Sequence, residues 1–265
     1  MRMQNMIRTI LMVFVASMVS TSCTEKINLK LKNSTPLLTI EGNLSDRSGP
    51  YYVILSKSRL YYENNSFTGL PSAQVVISDD AGNNDTLTEV VAGLYSTNFI
   101  QGTFGRTYHL KVTAEGKTYE SYCKMPTPVD IDSIDITTET DFKGNVKKRA
   151  NILVRDPAGV PNQYRVTSLL NDTASTGFHI HIDRLWDGKL RSFNVPQSDF
   201  KTGDTLKIDL QSIDEHVYTY FSEFNQNQNN FGAPAAPANP DAVFTPAALG
   251  YFSAHSIKSK TIVIP

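Results

Sequence analysis

Cysteine is nearly absent from the 265 residues, which contain only Cys23 and Cys123. Two thiols cannot build a disulfide framework, and modification of Cys23 would leave Cys123 alone, so stability has to come from packing. Runs of like charge are missing too. The formal net charge is -1 and no Lys/Arg-rich stretch stands out, which argues against nucleic acid as a partner. The leading apolar stretch, Ile10 to Val19, is roughly half the ~20 residues that a membrane-spanning helix needs. Also lacking are a GxSxG nucleophile elbow, a phosphate-cradling glycine loop of either standard kind, and the spaced acids of an EF-type loop. Cys123 has no catalytic motif around it and alternates with Tyr119 and Ser121, as an inward strand position does. Hydrophobic residues at 40% and charged ones at 19% describe a folded chain, long enough to bury two cores.

What the sequence does have begins at its amino end. Arg2 and Arg8 give a positive start, the apolar stretch follows, and the small residues Ser20, Thr21 and Ser22 lead directly into Cys23. This is the layout of a secretory signal over residues 1–22. A cysteine at that junction can carry a diacylglycerol thioether and, once it is the new terminus, an amide-linked acyl chain. Two or more chains hold a protein firmly on a bilayer where one does so only marginally. Cys23 is therefore expected to be the lipidated first residue of a mature lipoprotein. The competing reading is an ordinary secreted protein with a chance cysteine near its cleavage site, and Ser20 stands where leucine is commonest in such signals. Residues 23–35 are polar, have no apolar face, and read as a tether. One glutamate followed by lysines in TEKINLK leaves open which side of its membrane such a lipoprotein would occupy.

From Leu37 the texture changes to short β-prone runs between turn formers, among them LLTIEG, YYVILSKS, AQVVISD, RTYHLKVTA and KTYESYCK. In RTYHLKVTA, Tyr108, Leu110 and Val112 alternate with His109, Lys111 and Thr113, giving one buried and one wet face. The prolines of MPTPVDIDS, residues 125–133, mark a boundary, after which SIDITTET, RANILVRD, QYRVTSLL, GFHIHIDRLW, LRSFNV and TLKIDL read as strands. The expected fold class is mainly β: two tandem antiparallel β-sandwich domains of Ig/fibronectin-like character, over 36–126 and 127–265. The second carries one helix, about 212–226, with Ile213, Val217, Tyr220, Phe221 and Phe224 at helical spacing, Ser212 as N-cap and Glu215 three residues on. A long Asn/Pro loop follows, and ALGYFSAHSI and KTIVIP close the chain as a pair of strands. Aromatic residues on and after the helix, Tyr218, Phe231 and Phe244, are candidates for contact with a partner. Covering the domain's own core is an equally good use for them.

The sharpest chemical constellation is HIHID. On a strand His179, His181 and Asp183 point to one side, and two imidazoles with a carboxylate could hold a divalent ion. Such a site normally draws further ligands from other loops, and the remaining histidines, His109, His216 and His255, form no ligand pair. Alternation is also what the solvent face of any sandwich strand shows. No metal is therefore expected there. Asp79, Asp80 and Asp85 around DDAGNND could hold calcium, but a solvated turn accounts for them more simply.

The segments LLTIEGNLSDRSGPYYVILSKS, GLYSTNFIQGTFGRTYHLKVTAEGKTYES, KMPTPVDIDSI, GDTLKIDLQSIDEHVYTYF and NPDAVFTPAALGYFSAHS together resemble a family of Bacteroidota envelope lipoproteins catalogued as domain of unknown function 4249. The resemblance runs from Cys23 to Pro265, and its most specific pieces are GTFGRTYHLKV and ALGYFSAHS. Pro246-Ala247-Ala248 replaces a glycine-bearing stretch usual in the family. The first half is also similar to the carboxypeptidase regulatory-like sandwich found in extensions of TonB-dependent receptors. The resemblance implies a non-enzymatic outer-membrane lipoprotein without a cofactor, anchored to the membrane by lipid and serving a TonB-dependent receptor as a binding or accessory subunit. It carries over no catalytic residues. Two alternatives stay open: a metal-dependent hydrolase using His179, His181 and Asp183, and a structural or adhesive envelope component.

Overall fold

The computed structural model describes residues 36–59, 68–140, 142–197, 200–228 and 239–265, together with Met3. Cys23, the signal segment and the tether lie outside the described residues. Pro36–Pro265 form one compact unit. Its strands are β1 (Leu38–Ser45), β2 (Tyr52–Lys57), β3 (Gln74–Asp79), β4 (Asn84–Thr86), β5 (Thr88–Val91), β6 (Leu94–Ser96), β7 (Thr107–Ala114) and β8 (Lys117–Lys124). There follow β9 (Ile131–Thr140), β10 (Val146–Arg155), β11 (Gln163–Leu170), β12 (Thr173–Ala174), β13 (His179–Ile182), β14 (Leu190–Asn194) and β15 (Thr205–Ile213). Helix α1 (Glu215–Gln228) and strand β16 (Leu249–Val263) complete the chain. Among the described residues no helix is long and apolar enough to cross a membrane.

The protein is mainly β, as expected. Nine strands make one broad sheet in the order β12-β11-β15-β16-β1-β2-β6-β5, with β13 also paired to β11. Two smaller sheets, β4-β3-β7-β8 and β14-β10-β9, accompany it. Every described strand pair is antiparallel except β1 with β16, which run parallel from Thr39↔Leu249 to Ser45↔His255.

Alternation decides which face each residue takes. β1 is buried at every second position, so Ile40 and Leu44 share a face with Val53 and Leu55 of β2 and with Phe252 and Ala254 of β16. These side chains meet Ile77, Leu110 and Val112 of the four-stranded sheet in a first core. Gly42 lets the layers close, because a Cβ there would lie 2.9 Å from the Phe252 ring and 3.0 Å from Leu110. Farther along the same face, Tyr164 and Val166 of β11 and Leu206, Ile208 and Leu210 of β15 meet Ile152, Val154 and Phe193 of the three-stranded sheet in a second core. Helix α1 covers the opposite face, where Phe221 packs on Tyr251 with ring centroids 4.9 Å apart.

The stretch 125–133 marks a change of core: buried residues up to Met125 build the first and those from Val129 to Leu210 the second, while Ile213, Val217, Phe221, Phe244 and Ala248 belong to the first again. The final strand nevertheless crosses from one to the other. Phe252 and Ala254 lie in the first core, while Ile262 packs on the second. The two sandwiches share one sheet.

Two local expectations change. The closing pair of strands is a single strand of 15 residues. Its middle looks too polar for that, but Lys258 pairs with Asp130 at 3.0 Å, and Lys260 Nζ donates to the carbonyls of Ile131 and Asp132. The helix starts later than expected. Ser212 belongs to β15 and is buried, and Asp214 caps α1 instead, accepting the His216 N–H at 2.9 Å.

The turn acids are not simply solvated. Asp79 caps its own turn and pairs with Arg106 at 2.6 Å. Asp85 is fully buried and accepts the backbone N–H groups of Asn98, Phe99 and Ile100 at 2.8–3.0 Å. Burial alone would raise its carboxyl, but these donors hold it below the ordinary value. A carboxyl that titrates lower in the folded chain stabilises it above the unfolded value, and that contribution fades as pH falls through the folded one. Asp85→Asn sets an amide N–H against those donors and should cost about 2–4 kcal/mol of unfolding free energy at neutral pH. Urea titrations of the variant should also show less stability loss below about pH 4 than the parent.

Candidate functional site

Of the aromatic residues expected at a partner surface, Phe231 lies outside the described residues. Phe244 is buried in the first core at 2% exposure, which corrects its assignment as a contact residue. The physical reason is next to it. The Thr245 N–H donates to the Glu120 carbonyl at 2.9 Å and the Thr245 carbonyl accepts the Glu120 N–H at 3.0 Å, pinning the segment to the edge of β8. Tyr218 is half-buried and packs against the first core.

HIHID does not gather into a ligand set. His179 and His181 pair with Val166 and Tyr164, which places them on the side of the second core and not on a solvent face. His181 is half-buried and stacks on Phe193 at 4.1 Å, with its Nε2 buried and unpartnered. Desolvation pushes its imidazole down to about 4. His179 Nε2 lies 3.0 Å from the Thr176 carbonyl. Asp183 follows the end of β13 and turns elsewhere, accepting the Asn162 N–H at 2.9 Å.

Asp183 instead joins Asp156 and Asp187, whose carboxylate oxygens lie within 4.8 Å of one another. Asp156 accepts the Tyr164 hydroxyl at 2.5 Å and the Gly188 N–H at 3.2 Å, and Asp187 accepts the Gly159 N–H at 2.8 Å. Three acids at this spacing have the oxygen chemistry to hold a hard cation. Their present partners make them a clasp between the loops 156–162 and 183–188.

A binding geometry exists at the start of α1. There a cleft of about 400 Å³ opens between the exit of β8, the 156–162 loop and the β15–α1 turn. Met125 and Ile213 are buried apolar residues of its wall, Pro126, Val160 and Pro161 add further apolar surface, and Lys124, Asp214 and Glu215 supply charge. Gln163, the first residue of β11, also lines it and is only 8% exposed. Its side-chain amide has no hydrogen-bond partner among the described residues. A mostly apolar concavity with a few polar groups is what a small ligand or the end of a partner chain requires. Sequence reading missed this site because its walls come from MPT, VPNQ and IDE, far apart in the chain. Only the prolines of the first two hinted at fixed loops.

In comparison with known proteins, a family model described as Domain of unknown function (DUF4249) matches residues 24–261. No curated protein matches.

The His181 environment has a measurable consequence. Its folded value of about 4 lies below the ~6.5 of an unfolded chain, so the unfolded state binds the proton first. Stability should be complete above about pH 6.5 and decline as pH falls toward 4. His181→Phe keeps the stacking on Phe193 and removes the titration. Denaturant unfolding between pH 7 and 4 should show a shallower decline for the variant.

Proposed function

The chain belongs to the Domain of unknown function (DUF4249) family, and on that footing we propose that it is a non-enzymatic outer-membrane lipoprotein that binds a ligand or partner as an accessory subunit of a TonB-dependent uptake receptor. The anchor of this reading is Cys23, set directly after a signal-like segment. Lipidation there confines the binding unit to the plane of the membrane beside its receptor. Confinement raises effective concentration, so a weak contact suffices.

The observation that supports binding is the cleft beside α1 with Gln163 in its wall. The Gln163 amide lines the cleft without a protein partner among the described residues, so a ligand that offers it a donor and an acceptor can take the place of water there while covering Val160 and Pro161. The surrounding sheet holds the cleft rigid: Gln163 pairs with Ile213 on one side and Ile182 on the other. Preorganisation of this kind lowers the entropy lost on binding.

The test uses the full chain expressed in its native envelope. Cys23→Ala should move the protein from the membrane to the soluble fraction. Affinity purification of the parent in mild detergent should retain a TonB-dependent receptor, and Gln163→Ala should reduce that yield several-fold without lowering thermal stability. A Cys23→Ala protein still fixed in the membrane, or a parent that brings down no receptor, overturns the proposal.

A further inference from the structure

We infer that the face of the broad sheet beneath α1 carries a second recognition site, for an organic cation, built from the Glu41 carboxylate and the rings of Tyr220 and Tyr251. It is separate from the cleft beside the helix start and does not depend on the uptake reading.

Glu41 stands in β1 between Ile40 and Gly42, which face the first core, so its own side chain takes the opposite face. Its register partners are Tyr251 on β16 and Ile54 on β2. It is half-buried and has neither an ion pair nor a hydrogen bond among the described residues. Carboxylates withdrawn from water are normally paired, and burial accordingly raises the Glu41 carboxyl above its ordinary value. Its charge reaches both tyrosines: the Tyr220 hydroxyl is pushed up to about 12, first by burial and next by Glu41, and Tyr251 is raised as well.

The surrounding groups are already engaged. Tyr220 and Tyr251 lie with ring centroids 5.6 Å apart, and Phe221 sits edge-on to Tyr251. Asn43 donates to the Tyr251 hydroxyl at 3.2 Å. Arg165, the cation that approaches Tyr251, is held with its guanidinium carbon 5.2 Å from the Phe178 centroid and 5.0 Å from that of Phe221. Its charge also acts on the Tyr251 hydroxyl, and among the described residues it makes no ion pair with Glu41.

The chemistry selects the occupant. A carboxylate beside aromatic rings attracts an ammonium group through both its charge and the ring quadrupoles. An anion is repelled by Glu41. A hard metal ion needs six or more oxygens, and a single carboxylate does not supply them. A neutral group of the same shape gains nothing from the charge.

Isothermal titration of the purified full chain with tetramethylammonium chloride and with ethylammonium chloride, against sodium chloride at matched ionic strength, tests this. One of the two cations should bind saturably, and neopentyl alcohol, an uncharged counterpart of tetramethylammonium, should bind at least tenfold more weakly. Glu41→Gln and, independently, Tyr220→Leu should each weaken the cation at least tenfold while thermal unfolding confirms a folded chain. No saturable binding by either cation, equal binding of the alcohol, or unchanged binding in Glu41→Gln overturns the inference. Should one variant fail to fold, the other variant and the alcohol comparison still decide it.

Discussion

One strand serves two cores, and the rest of the molecule depends on it. The first half of β16, Leu249–His255, pairs with β1 along one edge, and the second half, Ser256–Val263, pairs with β15 along the other, so the strand joins the two halves of the broad sheet. Because side chains alternate along it, the face that supplies Phe252 to the first core supplies Ile262 to the second. A strand so placed cannot shift by one residue without turning both apolar sets outward. Register is thereby fixed for the whole broad sheet at once.

The pairing also sets the order in which structure can form. β1 meets β16 across more than 200 residues, from Thr39 to Leu249, whereas β7 and β8 meet across a two-residue turn at Glu115 and Gly116. Local hairpins close at small entropic cost, and remote parallel pairing becomes favourable only when much of the chain is already in place. The four-stranded sheet is thus the natural early unit, and the shared sheet the last to be completed.

Much of this was legible in the residues and some was not. The alternation in RTYHLKVTA reads directly as β7, and the helical spacing of Val217, Tyr220 and Phe221 reads as α1, because both patterns are local. β16 was broken in two by its lysines, since the carbonyls and carboxylate that receive Lys258 and Lys260 lie around Asp130 to Asp132, on a different sheet. Ser212 looked like a cap because a strand that runs straight into a helix leaves no turn signal between them. HIHID groups Asp183 with the two histidines by alternation alone, a set from which no metal site is expected, while the partners of Asp183 come from the loop at Asn162. Gln163 and Glu41 carry no local mark. What sets them apart is the lack of a partner after folding, a property that only the assembled neighbourhood defines.

The parallel seam has a mechanical side. The chain preceding Pro36 enters the fold through β1, an inner strand bonded to β2 and β16 along its length. A pull through those residues along the strand axis loads both ladders together, with many hydrogen bonds sharing the force, and does not peel them one after another from an open end. Tension applied through Pro36 would in this way meet two ladders in shear and not a single free edge.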